Sequence, residues 1–379
     1  MTLRISSNFD GGNIECLSCD RPERIRLRIL ADRRTDILQW FYFRLTGARD
    51  QECVLRIENA GAAAFKAGWR DYRAVASENR KDWVRVDTAL EGDTLVIRHR
   101  PQGDSIYFAY FAPYSAERHA DLMAECLSHA NVRLKVPGTS IDGQDLDLLR
   151  IGDDHGTKRQ VWVIARQHPG ETMAEWFVEG MLRRLLTSDD DRIVELRERA
   201  VFHVVPNMNP DGSRRGHLRT NAVGTDLNRA WSAPDPDKSP EVHAVREVMN
   251  ETGVDLFLDV HGDEGLPYVF LVGTLGIPSL SDAQQAWFSC FSDSLKAANP
   301  DFQTEFGYPS PKKGNANLGI ANNWVAETFG ALAMTLEQPF KDAANNPEPN
   351  HGYSPARAQA LGAASLDAMA DVLDLMDKE

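Results

Sequence analysis

The sequence lacks the features that mark membrane and secreted proteins. No stretch of its 379 residues reaches the roughly 18 consecutive apolar residues that a membrane-spanning helix needs, because charge interrupts every apolar run. Residues 1–6 also lack the apolar segment of a secretory signal. The five cysteines are odd in number and scattered, which argues against a disulfide framework. These absences predict a cytoplasmic protein without a membrane partner.

The sequence has fewer basic than acidic side chains. Lysine and arginine number 42 against 56 aspartates and glutamates, so the formal net charge is −14 and polyanions are repelled. We therefore expect no nucleic-acid partner, and the sequence makes no prediction of oligomeric state. Cys16 and Cys19 form a C-x-x-C pair, but no second pair or histidine cluster accompanies them at zinc-finger spacing. We interpret them as ordinary cysteines, with a redox or metal role as the alternative.

Hydrophobic patterning divides the chain into two domains. Residues 1–115 hold short segments of alternating apolar and polar residues, which predict an antiparallel β-sandwich domain. Residues 116–136 are predicted to connect the domains, with helical spacing of apolar residues over 115–130. The strands expected in the sandwich include 25–29, 38–43, 53–57 and 95–97.

Residues 137–379 have a different character. Continuous apolar runs alternate with helical patterning, which predicts an α/β fold with a mixed, mostly parallel sheet flanked by helices. The strands expected are 146–151, 161–165, 200–206, 256–260, 268–272 and 332–336. The helices expected are 172–186, 241–250, 282–298 and 355–376.

One candidate site follows the strand predicted at 161–165. The chain continues there with R-Q-H-P-G-E before helical patterning begins, so His168 and Glu171 lie at the carboxyl end of a strand. α/β proteins usually place their sites at such ends. Zinc accepts both imidazole and carboxylate, and a catalytic zinc uses three protein ligands. The alternative is a turn histidine followed by a glutamate that favours the start of a helix.

A third ligand should follow another strand. His261 comes directly after the apolar run 256–260, and only the sheet can bring it to Glu171, 90 positions earlier. The alternative is a structural histidine that ends the strand. Asp259 lies two residues earlier on the same face, where it is expected either to orient His261 or to be structural.

Arginine and asparagine side chains cluster between these motifs. After the loop P-N-M-N-P-D-G at 206–212 come Arg219 and the motif G-T-D-L-N-R-A-W, which contains Asn228 and Arg229. Beside a metal they would suit a carboxylate, because guanidinium offers a planar fork of donors. The alternative is turn chemistry with solvated arginines.

The motifs in their order resemble those of the zinc carboxypeptidase family. H-P-G-E, N-M-N-P-D-G, an upstream arginine, G-T-D-L-N-R-x-W and D-x-H-G carry this resemblance, from about residue 136 to residue 378. Nearer the front, N-F-D-G-G-N at 8–13 and Y-F-A-P-Y at 110–114 look like the sandwich domain of the cytosolic carboxypeptidase branch. The chain thus resembles a bacterial-type member of that branch.

The resemblance implies a metal centre and a catalytic base. His168, Glu171 and His261 are expected to bind one zinc ion. The family's catalytic glutamate lies near the end of a late strand, and A-M-T-L-E ends in Glu337. Glu337 is therefore expected to be the base.

The resemblance also implies how a substrate is held. Asn228 and Arg229 are expected to grip the terminal carboxylate of a peptide or protein, and Arg219 to polarise the scissile carbonyl. Digestive members of the family place a substrate-contacting tyrosine before the glutamate. Tyr308 is the nearest candidate here.

The segment 307–324 is expected to line the pocket for the substrate's last side chain. It contains Lys312 and Lys313, which would favour an acidic end, Glu or Asp; alternatively both are solvated. The sequence G-D-E-G-L-P after His261 departs from the Gly-His-Ser of tubulin-trimming members. That departure argues against tubulin as the substrate.

Two other functions are alternatives. One is a zinc amidohydrolase of the same fold, such as a deacylase, although that class generally lacks the pair seen at Asn228 and Arg229. The other is a non-catalytic binding module, which would be expected to have lost a ligand. With no recognisable pro-segment, the front domain is expected to restrain the enzyme by narrowing its cleft. Deleting residues up to about 115 should then leave a soluble, less selective enzyme.

Overall fold

The structure, a computed structural model, describes residues 2–153, 156 and 158–378. Ten strands come first in the chain: β1 (Arg4–Ser6), β2 (Glu15–Ser18), β3 (Ile25–Arg28), β4 (Tyr42–Thr46), β5 (Cys53–Ile57), β6 (Val75–Ser77), β7 (Val84–Arg85), β8 (Asp87–Glu91), β9 (Thr94–His99) and β10 (Ser105–Ala109). They form two five-stranded sheets, ordered β1-β4-β10-β6-β7 and β2-β3-β5-β9-β8. Neighbours pair antiparallel except in the parallel pair β3–β5. We call this part, up to residue 115, the front region.

Alternation of apolar and polar residues explains those strands of the front region in which it occurs. In β3 the two apolar residues are fully buried and the two arginines are exposed, as period two requires. The predicted strand 38–43 is different, because its ladder begins only at Tyr42. The Leu38 carbonyl instead accepts a hydrogen bond from the N–H of Ala64, in a loop. The apolar run 38–43 thus indicates that these residues are buried, but only its last two residues belong to a strand.

The α/β region follows. Its elements are α1 (Ala116–Leu127), β11 (Val132–Lys135), β12 (Leu148–Ile151), β13 (Arg159–Ala165), α2 (Met173–Thr187), α3 (Asp191–Arg199), β14 (Ala200–Val205), α4 (Pro210–Arg215), α5 (Pro240–Thr252), β15 (Leu256–Val260), β16 (Phe270–Val272), α6 (Asp282–Ala298), α7 (Ala321–Phe329), β17 (Leu332–Glu337) and α8 (Pro355–Met376). Short 3-10 turns lie at Pro22–Arg24, Ala60–Ala62, Lys66–Trp69 and Leu227–Arg229.

Seven of these strands form one mixed sheet, ordered β11-β12-β14-β13-β15-β17-β16. The four strands from β14 to β17 in this order are parallel, whereas β11 and β12 at one end and β16 at the other pair antiparallel. The predicted fold class is confirmed, with the parallel pairing confined to the centre. β11 lies within the segment predicted as a connection. Only Val132 in it is buried, so it has no apolar alternation that a sequence could reveal.

Helices cover both faces of the sheet. In β13, Val161 and Val163 face the core shared with α2 and α8, while Trp162 and Ile164 face the core shared with α5 and α7. Helices α2 and α8 cross at close range. A Cβ on Gly362 would stand 1.9 Å from a backbone oxygen of α2, so a larger residue does not fit there.

The front region shares its core with the α/β region. The ring of Tyr110 stacks on that of Phe340 with centroids 4.5 Å apart. Thr172 and Trp176 in the α/β region both donate hydrogen bonds to the carbonyl of Ala112, at 2.9 and 3.0 Å. The exact domain boundaries remain a prediction. Within the described residues, none of the helices combines the length and the apolar character that crossing a membrane requires.

Candidate active site

Three neighbouring parallel strands end at the same edge of the sheet. The register aligns the last residues of β13 and β15 with Leu336 in β17. The chain leaving β13 therefore carries His168 and Glu171, the chain leaving β15 carries His261, and β17 ends in Glu337. The sheet brings together residues that are up to 169 positions apart, from 168 to 337.

His168, Glu171 and His261 converge on one point and are all buried. The two Nδ1 atoms are 3.1 Å apart, and the Glu171 oxygens lie 2.6 Å from Nδ1 of His168 and 2.7 Å from Nδ1 of His261. Two nitrogens bound to a tetrahedral zinc at about 2.0–2.1 Å would stand roughly 3.3 Å apart. The donor set therefore fits zinc, with room for a further ligand.

A carboxylate faces the outer nitrogen of each histidine. Asp226 Oδ1 lies 3.1 Å from Nε2 of His168, and Asp259 Oδ2 lies 2.9 Å from Nε2 of His261. Such a partner keeps a proton on Nε2 and leaves the lone pair of Nδ1 for a metal. Gln167 also donates to Asp259 Oδ2, at 2.7 Å. Of the two roles expected for Asp259, the geometry supports orienting His261.

Burial opposes charge in this cluster, but neighbouring charges outweigh it. Burial acts to raise the pKa of Glu171, yet the two histidines lower it to about 2. Burial acts to lower the pKa of His261, whereas Asp259 and Glu171 raise it well above its usual value. For Asp226 burial again acts upward, and His168 and then Arg219 hold its pKa well below the ordinary range. Glu171 and Asp226 thus keep their negative charge because positive groups lie beside them.

Glu337 borders the cavity above this centre. The cavity measures about 780 Å³ and is lined by residues of both regions, the three candidate ligands among them. Glu337 is 8% exposed, and its Oε2 is buried without a hydrogen-bond partner among the described residues. Burial first, and then the carboxylates of Glu171, Asp263 and Asp259, raise its pKa well above the usual value despite His261. A carboxyl group in these surroundings takes up a proton readily.

Arg219 lies on the cavity wall between the two regions. Its Nε donates to Asp226 Oδ2 at 2.8 Å, so Asp226 joins Arg219 to His168. The guanidinium lies over the ring of Phe65, 5.6 Å from its centroid. Burial acts to lower the pKa of Arg219, but Asp226 and two further carboxylates raise it. Arg219 is therefore a fixed cation beside the candidate metal centre.

Asn228 and Arg229 lie in the 3-10 turn Leu227–Arg229 and line the same cavity. Asn228 Oδ1 accepts from the N–H of Ala321 at 2.9 Å, which fixes the orientation of the amide. Its Nδ2 lies 3.3 Å from Nε2 of His261, but that nitrogen needs its own proton for Asp259. The amide N–H groups of Asn228 are therefore left for a ligand, next to the exposed Arg229.

Tyr308 lines the cavity, whereas the two candidate lysines do not. The Tyr308 side chain is 46% exposed, its hydroxyl donates to Asp263, and its ring packs edge-on against Phe270 with centroids 5.0 Å apart. Lys312 and Lys313 are exposed and are not part of the cavity wall in the described structure. Lys313 Nζ donates to a backbone carbonyl at 3.1 Å.

Several residues of the motifs act as scaffold. Asn209 Nδ2 donates to the carbonyl of Gln167 at 3.0 Å, and Trp231 Nε1 donates to Gln167 Oε1 at 2.8 Å. Asp211 accepts from the hydroxyl of Ser140 at 2.6 Å. No role was predicted for Asp226, although its place two residues before Asn228 in a matched motif was an available signal. No local pattern pointed to Phe65, which comes from the front region.

Two family models match the chain. The model described as cytosolic carboxypeptidase N-terminal domain matches residues 5–111, and the model described as zinc carboxypeptidase matches residues 121–359. Among relatives, cytosolic carboxypeptidase 2 of Danio rerio is 27% identical, over 88% of this chain and 52% of its own length. The chain thus spans about half the length of that relative.

Solved structures are similar over nearly the whole chain. A metallo-carboxypeptidase from Burkholderia cenocepacia is 48% identical with a TM-score of 0.95, over 99% of this chain and 100% of its own. A metallo-carboxypeptidase from Pseudomonas aeruginosa, in complex with (2-guanidinoethylmercapto)succinic acid, is 44% identical with a TM-score of 0.95. The match covers 98% of this chain and 99% of that one.

Proposed function

The chain belongs to the zinc carboxypeptidase family and is a metallocarboxypeptidase, and we propose that His168, Glu171 and His261 hold its one zinc ion. The observation that carries this proposal is the convergence of three buried donors on a cavity that also holds Glu337. A zinc ion bound there would lower the pKa of a water ligand towards about 7 and polarise a carbonyl oxygen.

Glu337 is the proposed base. It takes a proton from the attacking water and passes it to the amine of the leaving residue. Its buried Oε2 has no hydrogen-bond partner among the described residues, and its pKa is raised. Both support this role, because the group must gain and lose a proton within one cycle.

Four further residues are proposed to contact the substrate. Arg219 donates to the carbonyl oxygen of the scissile bond as negative charge develops on it. Asn228 and Arg229 bind the terminal carboxylate, for which the amide N–H groups of Asn228 and the exposed guanidinium of Arg229 are suited. A carboxylate bound in this place limits cleavage to the last bond of a chain. Tyr308 is proposed to contact the departing residue.

The preference for an acidic end stays a proposal, with less support than the sequence offered. Lys312 and Lys313, which motivated it, lie away from the cavity wall, and Lys66 and Arg219 are the other cations there besides Arg229. The ligand of the Pseudomonas aeruginosa enzyme carries a guanidino group beside its carboxylates. If this chain binds such a group in the same way, the preferred end is basic.

A panel of peptides separates these preferences. The peptides share one body and end in Glu, Asp, Lys, Arg, Phe or Leu, each also prepared with an amidated end. Faster release of Glu and Asp than of the others supports the acidic preference, while faster release of Lys and Arg or of Phe overturns it. The amidated peptides should all resist cleavage, because they lack the carboxylate. An N-acylated amino acid in the same assay tests for the alternative, a deacylase.

Substitution of Glu337 tests the chemistry. Glu337→Gln keeps the size of the side chain and should retain zinc while turnover falls by roughly 1,000-fold or more. Glu251→Gln, at an exposed glutamate of α5 that pairs with Lys135, is the matched control and should be fully active. Near-normal turnover in Glu337→Gln would remove Glu337 from its role, and full-strength turnover in a zinc-free protein would exclude the metal mechanism.

We also propose that the protein works in the cytoplasm on peptide or protein ends. Its similarity to a cytosolic carboxypeptidase supports this location. Fractionation of the native host, with the zinc content measured in the soluble fraction, tests it. Recovery outside the cytoplasm would overturn it.

A further inference from the structure

Asp32 of the front region reaches into the α/β region and is almost completely buried, at 2% exposure. Its Oδ1 accepts a hydrogen bond from the N–H of Leu218 at 2.7 Å. Its Oδ2 accepts from the N–H of Arg219 at 2.8 Å, the N–H of Thr220 at 2.8 Å and the hydroxyl of Thr220 at 3.1 Å. One carboxylate thus accepts four hydrogen bonds from three consecutive residues, which lie about 186 positions further along the chain.

The segment 218–220 joins Asp32 to the candidate metal centre. The carbonyl of Leu218 accepts from the N–H of Gly170 at 2.8 Å, and Gly170 lies between His168 and Glu171. A Cβ on Gly170 would stand 3.0 Å from that carbonyl oxygen, so the two segments are packed as closely as a glycine allows. The backbone of Arg219 therefore lies between the front region and the metal-binding turn.

The front region also holds the side chain of Arg219. The ring of Phe65 lies under the guanidinium, and Gln39 fixes Phe65 by accepting from its N–H at 2.9 Å and donating to its carbonyl at 3.2 Å. Asp226 is the partner on the other side. Arg219 is therefore held at three places: its backbone N–H bonds Asp32, its guanidinium lies over the ring of Phe65, and its Nε bonds Asp226.

The rest of this loop has support of its own. Asn221 Oδ1 accepts from the N–H groups of Val223 and Thr225, at 3.2 and 3.0 Å. His217 accepts at Nε2 from the N–H of Arg33 and donates at Nδ1 to the carbonyl of Thr220. Removing Asp32 would therefore disturb mainly the N–H groups of residues 218–220. Of these three residues, Arg219 is the one with a proposed role in catalysis.

We propose that Asp32 is a positioning residue for catalysis, which fixes the backbone of Arg219 so that its guanidinium faces the scissile carbonyl. This inference rests on the proposed function of Arg219. Enzymes lose up to about 100-fold in rate when a group is misplaced by about 1 Å, and a buried carboxylate with four donors gives such precision. The front region is then a working part of the active site.

A double-mutant cycle tests the proposal. Asp32→Ala and Asp32→Asn should lower kcat by roughly 10- to 100-fold with KM changed less than about three-fold and zinc content unchanged. In an Arg219→Ala background, the same changes should lower kcat less than about two-fold, because their target is gone. Asp104→Asn, at an exposed front-region aspartate paired with Arg49, is the control and should have no effect.

Three outcomes would overturn the proposal: an equal loss of kcat with and without Arg219, a loss of zinc in the Asp32 variants, or normal kcat in a folded Asp32→Ala protein. If both Asp32 variants fail to fold, Thr220→Val removes a single donor to Asp32 and should lower kcat about two- to five-fold at unchanged melting temperature. Normal kcat in Thr220→Val would then decide against the inference.

A crystal structure of Asp32→Asn separates this inference from the proposed function. Arg219 should be displaced from Asp226 while His168, Glu171 and His261 superpose on the wild type. An undisturbed Arg219 overturns the role of Asp32 even if the wild-type enzyme is fully active. If the wild type cleaves none of the peptides, or Arg219→Ala is fully active, the proposed function fails instead.

Discussion

The candidate metal ligands follow the ends of buried strands, whereas the groups proposed to meet substrate stand on loops. We call the first set the metal side of the site and the second set its substrate side. Each histidine of the metal side is buried and has a carboxylate behind it. On the substrate side Arg229 is exposed and Tyr308 is 46% exposed. The difference suggests that metal binding depends on the sheet, and substrate choice on loops and on the front region.

The largest effect is expected from removing the front region. Deleting residues up to 115 would expose Phe340, which stacks on Tyr110, and leave Thr172 and Trp176 without the carbonyl of Ala112. Exposing one such ring costs about 1.5–3 kcal/mol, and many residues of the shared core are affected. We therefore expect insoluble protein, contrary to the sequence-based expectation of a soluble enzyme.

Soluble expression and circular dichroism of the truncated chain measure this effect. As a control, the full chain is folded and then cut at a protease site inserted after α1, and its two parts should stay together. A soluble, folded and active truncated enzyme would show that the substrate side does not need the front region.

The next largest effect is expected at the metal side. His261→Ala removes one of three donors, so zinc should be lost and turnover should fall by more than about 1,000-fold. A chelator should do the same to the wild type, with recovery on added zinc. Atomic absorption and the peptide assay measure both. If His261→Ala retains stoichiometric zinc and activity, the metal lies elsewhere.

A smaller effect, on stability, is expected from the charges beneath the metal-binding turn. His119 bonds Glu175 and Asp147, and Glu175 bonds Arg166, whose Nε donates to the carbonyl of Pro169. Burial acts to lower the pKa of His119, but hydrogen bonds to the two carboxylates raise it from 6.5 to about 9. The resulting stability is complete below about pH 6.5 and is lost as the pH rises through about 9.

The free energy of unfolding should therefore fall by on the order of 2–3 kcal/mol across that window. In His119→Gln the fall should be absent, while the exposed His351→Gln should keep it. Urea unfolding at several pH values measures the difference. Identical pH profiles for wild type and His119→Gln would show that these charges do not support the turn.

The smallest effect is expected on the substrate side. Arg229→Ala removes one charged partner of the terminal carboxylate, which is worth about 1.5–3 kcal/mol, so KM should rise roughly 10- to 100-fold with zinc retained. Steady-state kinetics on matched acid and amide peptides measure it. An unchanged KM for the free acid would mean that Arg229 does not bind the substrate's end.

Sequence patterns predicted the elements that bury a regular apolar stripe. The helix expected at 282–298 is α6, and the one expected at 355–376 is α8. α8 buries apolar residues along its whole length, and α6 packs several fully or partly buried apolar side chains against the core. β11, α3, α4 and α7 were missed. β11 buries only Val132, and α3 buries only Ile193 and Leu196, so neither has enough apolar residues for a period to stand out.

The candidate ligands could be named before the structure because each follows a strand within one short motif. His168 and Glu171 are three residues apart, and His261 directly follows its strand. Their convergence depends only on parallel strands ending at the same edge. Lys312 and Lys313 show the limit of this approach. They lie in a loop whose path no periodicity describes, and the loop leaves them away from the cavity.

The sequence alone determined the fold class, the family resemblance and the candidate metal ligands, because local periodicity and short motifs carry that information. Only the tertiary structure decided what surrounds the ligands: the carboxylate behind each histidine, the ring of Phe65 under Arg219, and Asp32 on its backbone. Asp32 and Arg219 are 187 positions apart in the chain. A contact between such distant residues depends on how two folded regions pack, and no spacing within the sequence records that.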